Sequence, residues 1–218
     1  MVPIVNNSGR INKQHYSGVI LSGGKNSRHQ GRNKALLPVG GLRIIDRIIG
    51  VMQPIFDQLI VVTNDLTAYR GLDVAFANDS FNTRCSLAGL HAGLKAVKNK
   101  KAFVVGCDAP FIKKEMIAAL LHFDRPDVDV TVPSTQAGME PLFAIYSKSC
   151  LDIITQHLLQ RHYKVSDIYP RLRVKTVHEK YLRKADPDLI SFFNVNTPDL
   201  ISKANSISLR LDALSSPD

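Results

Sequence analysis

Short apolar runs alternate with amphipathic stretches along this chain, and that alternation restricts the fold more than any other feature. Ser17 to Leu21 reads as a first strand, Ile44 to Met52 as a helix, and Gln58 to Thr63 as a second strand rich in Val and Ile. Asp73 to Ala77 reads as a short third strand. Leu87, Leu90, Leu94 and Val97 then recur at helical spacing, Ala102 to Gly106 is a buried-looking strand, and Met116, Ile117, Leu120 and Leu121 mark the helix after it. Strands that alternate with helices at this spacing are joined by crossovers. The expected class is therefore α/β, with a mostly parallel central sheet and helices on both faces.

The second half is less regular. Val130 to Pro133 and Glu140 to Tyr146 suggest two more strands, and Leu151 to Leu159 a helix whose Ile154, Leu158 and Leu159 form a core stripe. Phe192 to Leu200 ends the folded part, with Thr197 as a helix cap and Pro198 at the first helical position. At 218 residues the chain suits one well-buried domain, expected over 17–202. A disordered leader is expected over 1–16, which is rich in Asn and other polar residues, and a flexible tail over 203–218.

Ligands of parallel sheets sit beyond the carboxyl ends of the strands, which directs attention to the turn after the first one. Leu21-Ser22-Gly23-Gly24 leads into a segment holding Lys25, Arg28, Arg32 and Lys34. Glycine lets backbone amides approach an anion without a Cβ in the way, and nearby cations reinforce the same attraction. A helix starting near Asn26 or Ser27 would add its free amides. The order is neither that of a Walker loop nor G-x-G-x-x-G. The competing reading is a plain turn, with Arg28 and Arg32 as solvated charge.

Asn64-Asp65, Asp79 and Cys107-Asp108-Ala109-Pro110 also follow predicted strands, so all could line one crevice. Asp108, set against a proline-fixed turn, is placed to hold Mg²⁺, which takes one or two carboxylates plus substrate phosphates. It could equally cap the helix starting near Lys113 or shape the turn.

A net charge of +9 favours anionic partners. No helix-turn-helix, finger spacing or aromatic-rich RNA-binding strand is present, so nucleic acid is not the expected partner. Lys95, Lys98, Lys100 and Lys101 read as a solvated helix end. No run approaches the roughly 20 apolar residues of a membrane span, and the opening residues lack an apolar signal core. Cys85, Cys107 and Cys150 are odd in number and far apart, without the spacing of a zinc or redox site, which points to a reducing cytoplasm.

The motifs, taken in order, carry a resemblance. Leu-x-Gly-Gly-x-x-Ser-Arg with Gly-x-x-Lys-Ala-Leu-Leu over Leu21 to Leu37, then Leu87-Ala88-Gly89, Cys107 to Phe111, Glu140-Pro141-Leu142 and Asn194-Val195-Asn196-Thr197-Pro198, resemble the molybdenum cofactor guanylyltransferases of the MobA family. The resemblance covers roughly residues 17 to 201. It implies a Rossmann-like nucleotidyltransferase fold, with a nucleotide-binding half at about 17–112 and an acceptor-side half at about 113–202. The implied reaction transfers GMP from GTP to the terminal phosphate of molybdopterin, releasing pyrophosphate. Implied protein partners are a cofactor-delivery protein and recipient molybdoenzymes.

Carried over by position, the resemblance places the GTP-binding turn at Leu21, Ser22, Gly23 and Gly24, with Lys34 as the phosphate-contacting cation. Asn64 and Asp79 fall on the nucleotide side, Asp108 on Mg²⁺, and Asn194 and Asn196 toward the acceptor. The chain departs from the family's usual residues at Ser22, where Ala is common, at His29-Gln30, at Asn33, where an acid is common, and at Cys85-Ser86, where Gly-Pro is common. The last departure approaches the nucleotide. It keeps two alternatives in view: CTP-dependent cytidylyl transfer, and a carrier that binds without turnover.

Overall fold

The computed structural model describes residues 15–23, 33–81 and 83–215. Gly24, Lys25, Arg28, Arg32, the helix start sought at Asn26 or Ser27, and all but the end of the expected leader lie outside them. Tyr16, counted with that leader, instead opens the first strand and is buried.

Among the described residues, the main sheet has eight strands. β1 (Tyr16–Leu21) lies at its centre, flanked by β4 (Leu59–Val62) and then β5 (Ala75–Ala77) on one side, and by β6 (Lys101–Gly106) on the other. These four strands are parallel, with Leu21 level with Val62 and with Gly106. Beyond β6 come β9 (Phe143–Ser147), β7 (Val130–Thr135) and β10 (Val174–His178), with the two-residue β8 (Gly138–Met139) beside β7. β9 runs antiparallel to both its neighbours, because the short link from β7 through β8 holds no crossover helix. β10 restores the parallel direction against β7. A separate hairpin pairs β2 (Pro38–Val39) with β3 (Leu42–Arg43).

Helices cover both faces, and the strand periodicity shows why. Ile20 of β1 joins a core cluster with Ile44, Ile45, Ile48 and Met52 of α1 (Ile44–Met52) and with Met116, Ile117, Leu120 and Leu121 of α3 (Lys114–Phe123). Its neighbours Val19 and Leu21 point the other way, to Leu87, Leu90 and Leu94 of α2 (Ser86–Ala96) and to Ile154 and Leu158 of α4 (Leu151–Leu159). Each such side chain, fully buried, contributes about 1.5–3 kcal/mol. A short α5 (Glu179–Leu182) follows β10. Leu159 is a correction: it is 72% exposed and lies outside the core stripe expected for it.

The expected tail is also corrected. From Pro198 to Ser215 the chain forms one helix, α6, rather than ending its structure at residue 202. Its composition is polar, but Leu200, Ile201, Ala204, Ile207 and Leu211 fall at helical spacing and pack against the first core cluster. Asn205 accepts from the Gly40 amide at 2.9 Å, and Arg47 donates to Ser208 at 2.8 Å, so the hairpin and α1 hold the helix in place. Tertiary packing overrides weak local propensity here. Among the described residues, no helix is long and apolar enough to cross a membrane.

Candidate active site

Chain direction across the sheet reverses between β1 and β6: after β1 it moves outward to β4 and β5, then returns to the other side of β1. That switch point opens a crevice at the carboxyl ends of the two strands. A cavity of about 430 Å³ occupies it. Leu21, Ser22, Gly23, Lys34, Asp108, Asn194 and Asn196 all line this cavity. Asn64 and Asp79 line a smaller cleft alongside, which shares Leu21, Gly23 and Ser86 with it. The structure thus gathers these residues in two adjoining pockets; of the others expected along the crevice, Cys107 lines the main cavity while Asp65, Ala109 and Pro110 line neither, and Gly24 lies outside the described residues.

Backbone hydrogen bonds hold the walls. Ser22 donates its amide to the Val62 carbonyl at 2.9 Å, and Cys107 donates to Leu21 at 3.0 Å, so the two strand ends leave the sheet together. Gly106 donates to Leu142 at 3.0 Å, which brings up Glu140-Pro141-Leu142 as the far wall. Val195 donates to the Asp108 carbonyl at 2.7 Å and fixes the late Asn194-Val195-Asn196 segment against the Asp108 turn. Across the cavity, the Lys34 ammonium donates to Asn196 Oδ1 at 2.9 Å.

Asp108 does not cap α3, whose capping residue is Lys113, with no side-chain cap. Burial raises its carboxyl above the ordinary aspartate value, and the nearby Lys34 charge works against that rise. Gly106 makes the placement feasible: a Cβ there would lie 2.8 Å from Asp108 Oδ1. Cys107 beside it stays a neutral thiol, because burial and the Asp108 charge push its pKa up to about 11. It is unsuited to act as a nucleophile at neutral pH.

In the smaller cleft, Asn64 Oδ1 accepts from the Asp79 amide at 3.0 Å, and Asp79 Oδ1 accepts from the Phe81 amide at 2.7 Å. These bonds join the turns after β4 and β5. Burial raises Asp79 as well, with the hydrogen bond from the Phe81 amide and then His91 opposing it. Ser86, the first residue of α2, lines both cavities, and the helix has no side-chain cap, so its leading amides are available to an anion. Arg84, in the left-handed region at φ 46°, lines the smaller cleft.

Three contributors to the site have no role in the sequence reading. Glu140 lines the main cavity and is raised by burial; its only signal was its place before Pro141. Ser86 was noted as a departure alone. Tyr69, fully buried, shares a hydrogen bond with Ser22 and accepts one from Asn33, and no local pattern marks it.

Among the described residues no group of three or more His, Cys, Asp or Glu could cage a metal. A single half-buried carboxylate facing a polar cavity does fit Mg²⁺ as phosphate-binding sites use it, with the substrate oxygens completing the shell.

Residues 18–175 match the model of the MobA-like NTP transferase domain. The molybdenum cofactor guanylyltransferase of Desulfosudis oleivorans is 40% identical over 190 residues, 87% of this chain and 94% of that protein. The chain belongs to the MobA-like NTP transferase family. Among solved structures, a molybdopterin-guanine dinucleotide biosynthesis protein A from Archaeoglobus fulgidus superimposes with a TM-score of 0.79 at 29% identity, covering 89% of this chain and 99% of that one. A 2-C-methyl-D-erythritol 4-phosphate cytidylyltransferase from Thermus thermophilus shares the fold, with a TM-score of 0.66 at 14% identity over 89% of this chain and 99% of that one. A protein named as a cytidylyltransferase thus shares this fold, so the architecture by itself does not choose the base.

Proposed function

We propose that this enzyme transfers GMP from GTP to the terminal phosphate of molybdopterin, forming molybdopterin guanine dinucleotide and releasing pyrophosphate. The observation that carries the reading is the meeting of the Gly23 turn, Lys34 and Asp108 in one cavity at the switch point. An acceptor phosphate oxygen attacks the α-phosphorus of GTP; the new O–P bond forms as the bond to the β-phosphate oxygen breaks, and the electron pair leaves with pyrophosphate. The attacking oxygen is largely ionised at neutral pH, so little general-base work is needed. The obstacle is repulsion between two anions, and the residues present oppose it.

Lys34, held by Asn196, supplies positive charge beside the triphosphate, and the backbone at Ser22 and Gly23 approaches it without a bulky side chain. Asn64 and Asp79 serve the nucleoside end, while Asn194 and Asn196 serve the acceptor end. Asp108 would hold Mg²⁺, which when bound would further neutralise phosphate charge. Lys34→Ala is expected to weaken GTP binding chiefly, seen as a raised Kd in a GTP titration; an unchanged Kd removes Lys34 from the site.

The test of the reaction is pyrophosphate release with Mg²⁺ and metal-loaded molybdopterin, comparing GTP, CTP, ATP and UTP at equal concentration. GTP-dependent release is the expected result. Preference for CTP would reassign the base pocket, and nucleotide binding with no release from any of the four would leave a carrier.

A further inference from the structure

Ser22 and Asn33 are eleven positions apart, at the carboxyl end of β1 and just ahead of the short turn that carries Lys34, yet both reach the same buried hydroxyl. Asn33 Nδ2 donates to the Tyr69 hydroxyl at 2.8 Å, and the Ser22 and Tyr69 hydroxyls share a hydrogen bond. Asn33 is also engaged at its other end, where Oδ1 accepts from the Ala35 amide at 3.1 Å and caps the Lys34–Leu36 turn. Lys34 is the first residue of that turn and extends to Asn196. Tyr69 therefore connects the phosphate-side turn after β1 to the residue that starts the turn bearing the cation.

We propose that Tyr69 is a positioning residue of the nucleotide site, its hydroxyl fixing the spacing between Ser22 and Asn33 and hence between the Gly23 turn and Lys34. The inference rests on the reading of this cavity as the GTP site. Three features support it. Tyr69 is 1% exposed, and its ring is set against Phe76, so the hydroxyl has little freedom. Both polar partners line the main cavity, whereas Tyr69 does not, so its influence on a ligand passes through them. Burial raises its pKa, with the bonds from Ser22 and Asn33 opposing, so it acts as a neutral hydroxyl at physiological pH.

A packing role and a positioning role predict different results. Tyr69→Phe keeps the ring and removes only the hydroxyl; Asn33→Ala removes the other side of the contact from a half-buried position. Each is expected to raise the Kd for GTP with Mg²⁺ by about tenfold. In pyrophosphate release, KM for GTP is expected to rise in step while kcat stays within about threefold. The double variant is expected to bind GTP more weakly than Tyr69→Phe alone by less than the full Asn33→Ala loss, since the Asn33–Tyr69 bond is removed by either change and only the Asn33 cap on Ala35 is additional. Both single variants binding GTP like the wild type, or losses that multiply in the double variant, would overturn the inference. Wild-type protein that binds no GTP would instead remove the reading of the site, and this inference with it.

Discussion

At each end of strand β6 a carboxylate is withdrawn from solvent, fully at one and partly at the other, and the two are treated in opposite ways. At the start, Asp124, 2% exposed, accepts from the Tyr16 hydroxyl at 2.8 Å, from Thr131 at 2.6 Å, and from the Lys101 ammonium at 3.0 and 2.8 Å. Lys101, expected from sequence to be solvated, is 9% exposed and also donates to the Arg125 carbonyl. One step along the same edge, Asp129 takes a two-pronged contact from Arg173 and a hydrogen bond from Ser149. At the other end, Asp108 is half-buried against a cavity, with the Lys34 charge nearby and Lys34 itself donating to Asn196. A buried carboxylate whose oxygens are all occupied fastens the fold, whereas one left facing a cavity is set to receive a ligand.

Breaking the closed end is expected to have the largest effect. Lys101→Met leaves Asp124 buried without its cation and should cost about 3–5 kcal/mol in urea unfolding. GTP affinity of the remaining folded protein should be unchanged. The open end should respond in the reverse sense: Asp108→Asn should fold, yet lose about 10²–10³ in turnover, roughly 3–4 kcal/mol of transition-state stabilisation. Near-wild-type turnover at limiting Mg²⁺ would contradict that assignment. Gly106→Ala sharpens the point without touching the carboxylate chemically. Its new Cβ displaces Asp108 Oδ1, and a shift of up to an ångström should lower kcat by up to about 10²-fold.

The smallest effect concerns pH, and the signs differ between the ends. Hydrogen bonds from Arg173 hold Asp129 well below the usual carboxylate range, against the effect of burial. Its contribution is present above its unfolded value of about 3.9 and fades as pH falls toward its lower folded value. Asp129→Asn should therefore flatten the acid limb of a stability profile. Asp108 is raised, so its ionised form opposes folding above the ordinary aspartate value. At neutral pH, Asp108→Asn should leave Tm level or slightly higher.

The same contrast explains what the sequence made legible. Continuous apolar runs such as Val19 to Leu21 and Val104-Val105 mark strands buried on both faces, and the switch-point rule then placed Asp108 and the glycine turn together. Strand β10 was missed because Val174-Lys175-Thr176-Val177-His178 is only partly buried, at the edge of the sheet. The antiparallel insertion of β9 was missed because pairing order is set by which strand fills the gap beside β6. Lys101 was misread for a related reason: its partner Asp124 is 23 residues away, and charge clustering alone does not reveal pairing. Tyr69 lies 36 and 47 residues from the groups it joins, so only the folded chain brings the three together.

The most direct test of the account is a crystal structure with GTP and Mg²⁺. The account predicts triphosphate density between the Gly23 turn and Lys34, the metal on Asp108, and the nucleoside in the cleft of Asn64 and Asp79. Triphosphate bound elsewhere on the molecule, with the cavity between β1 and β6 vacant, would contradict it.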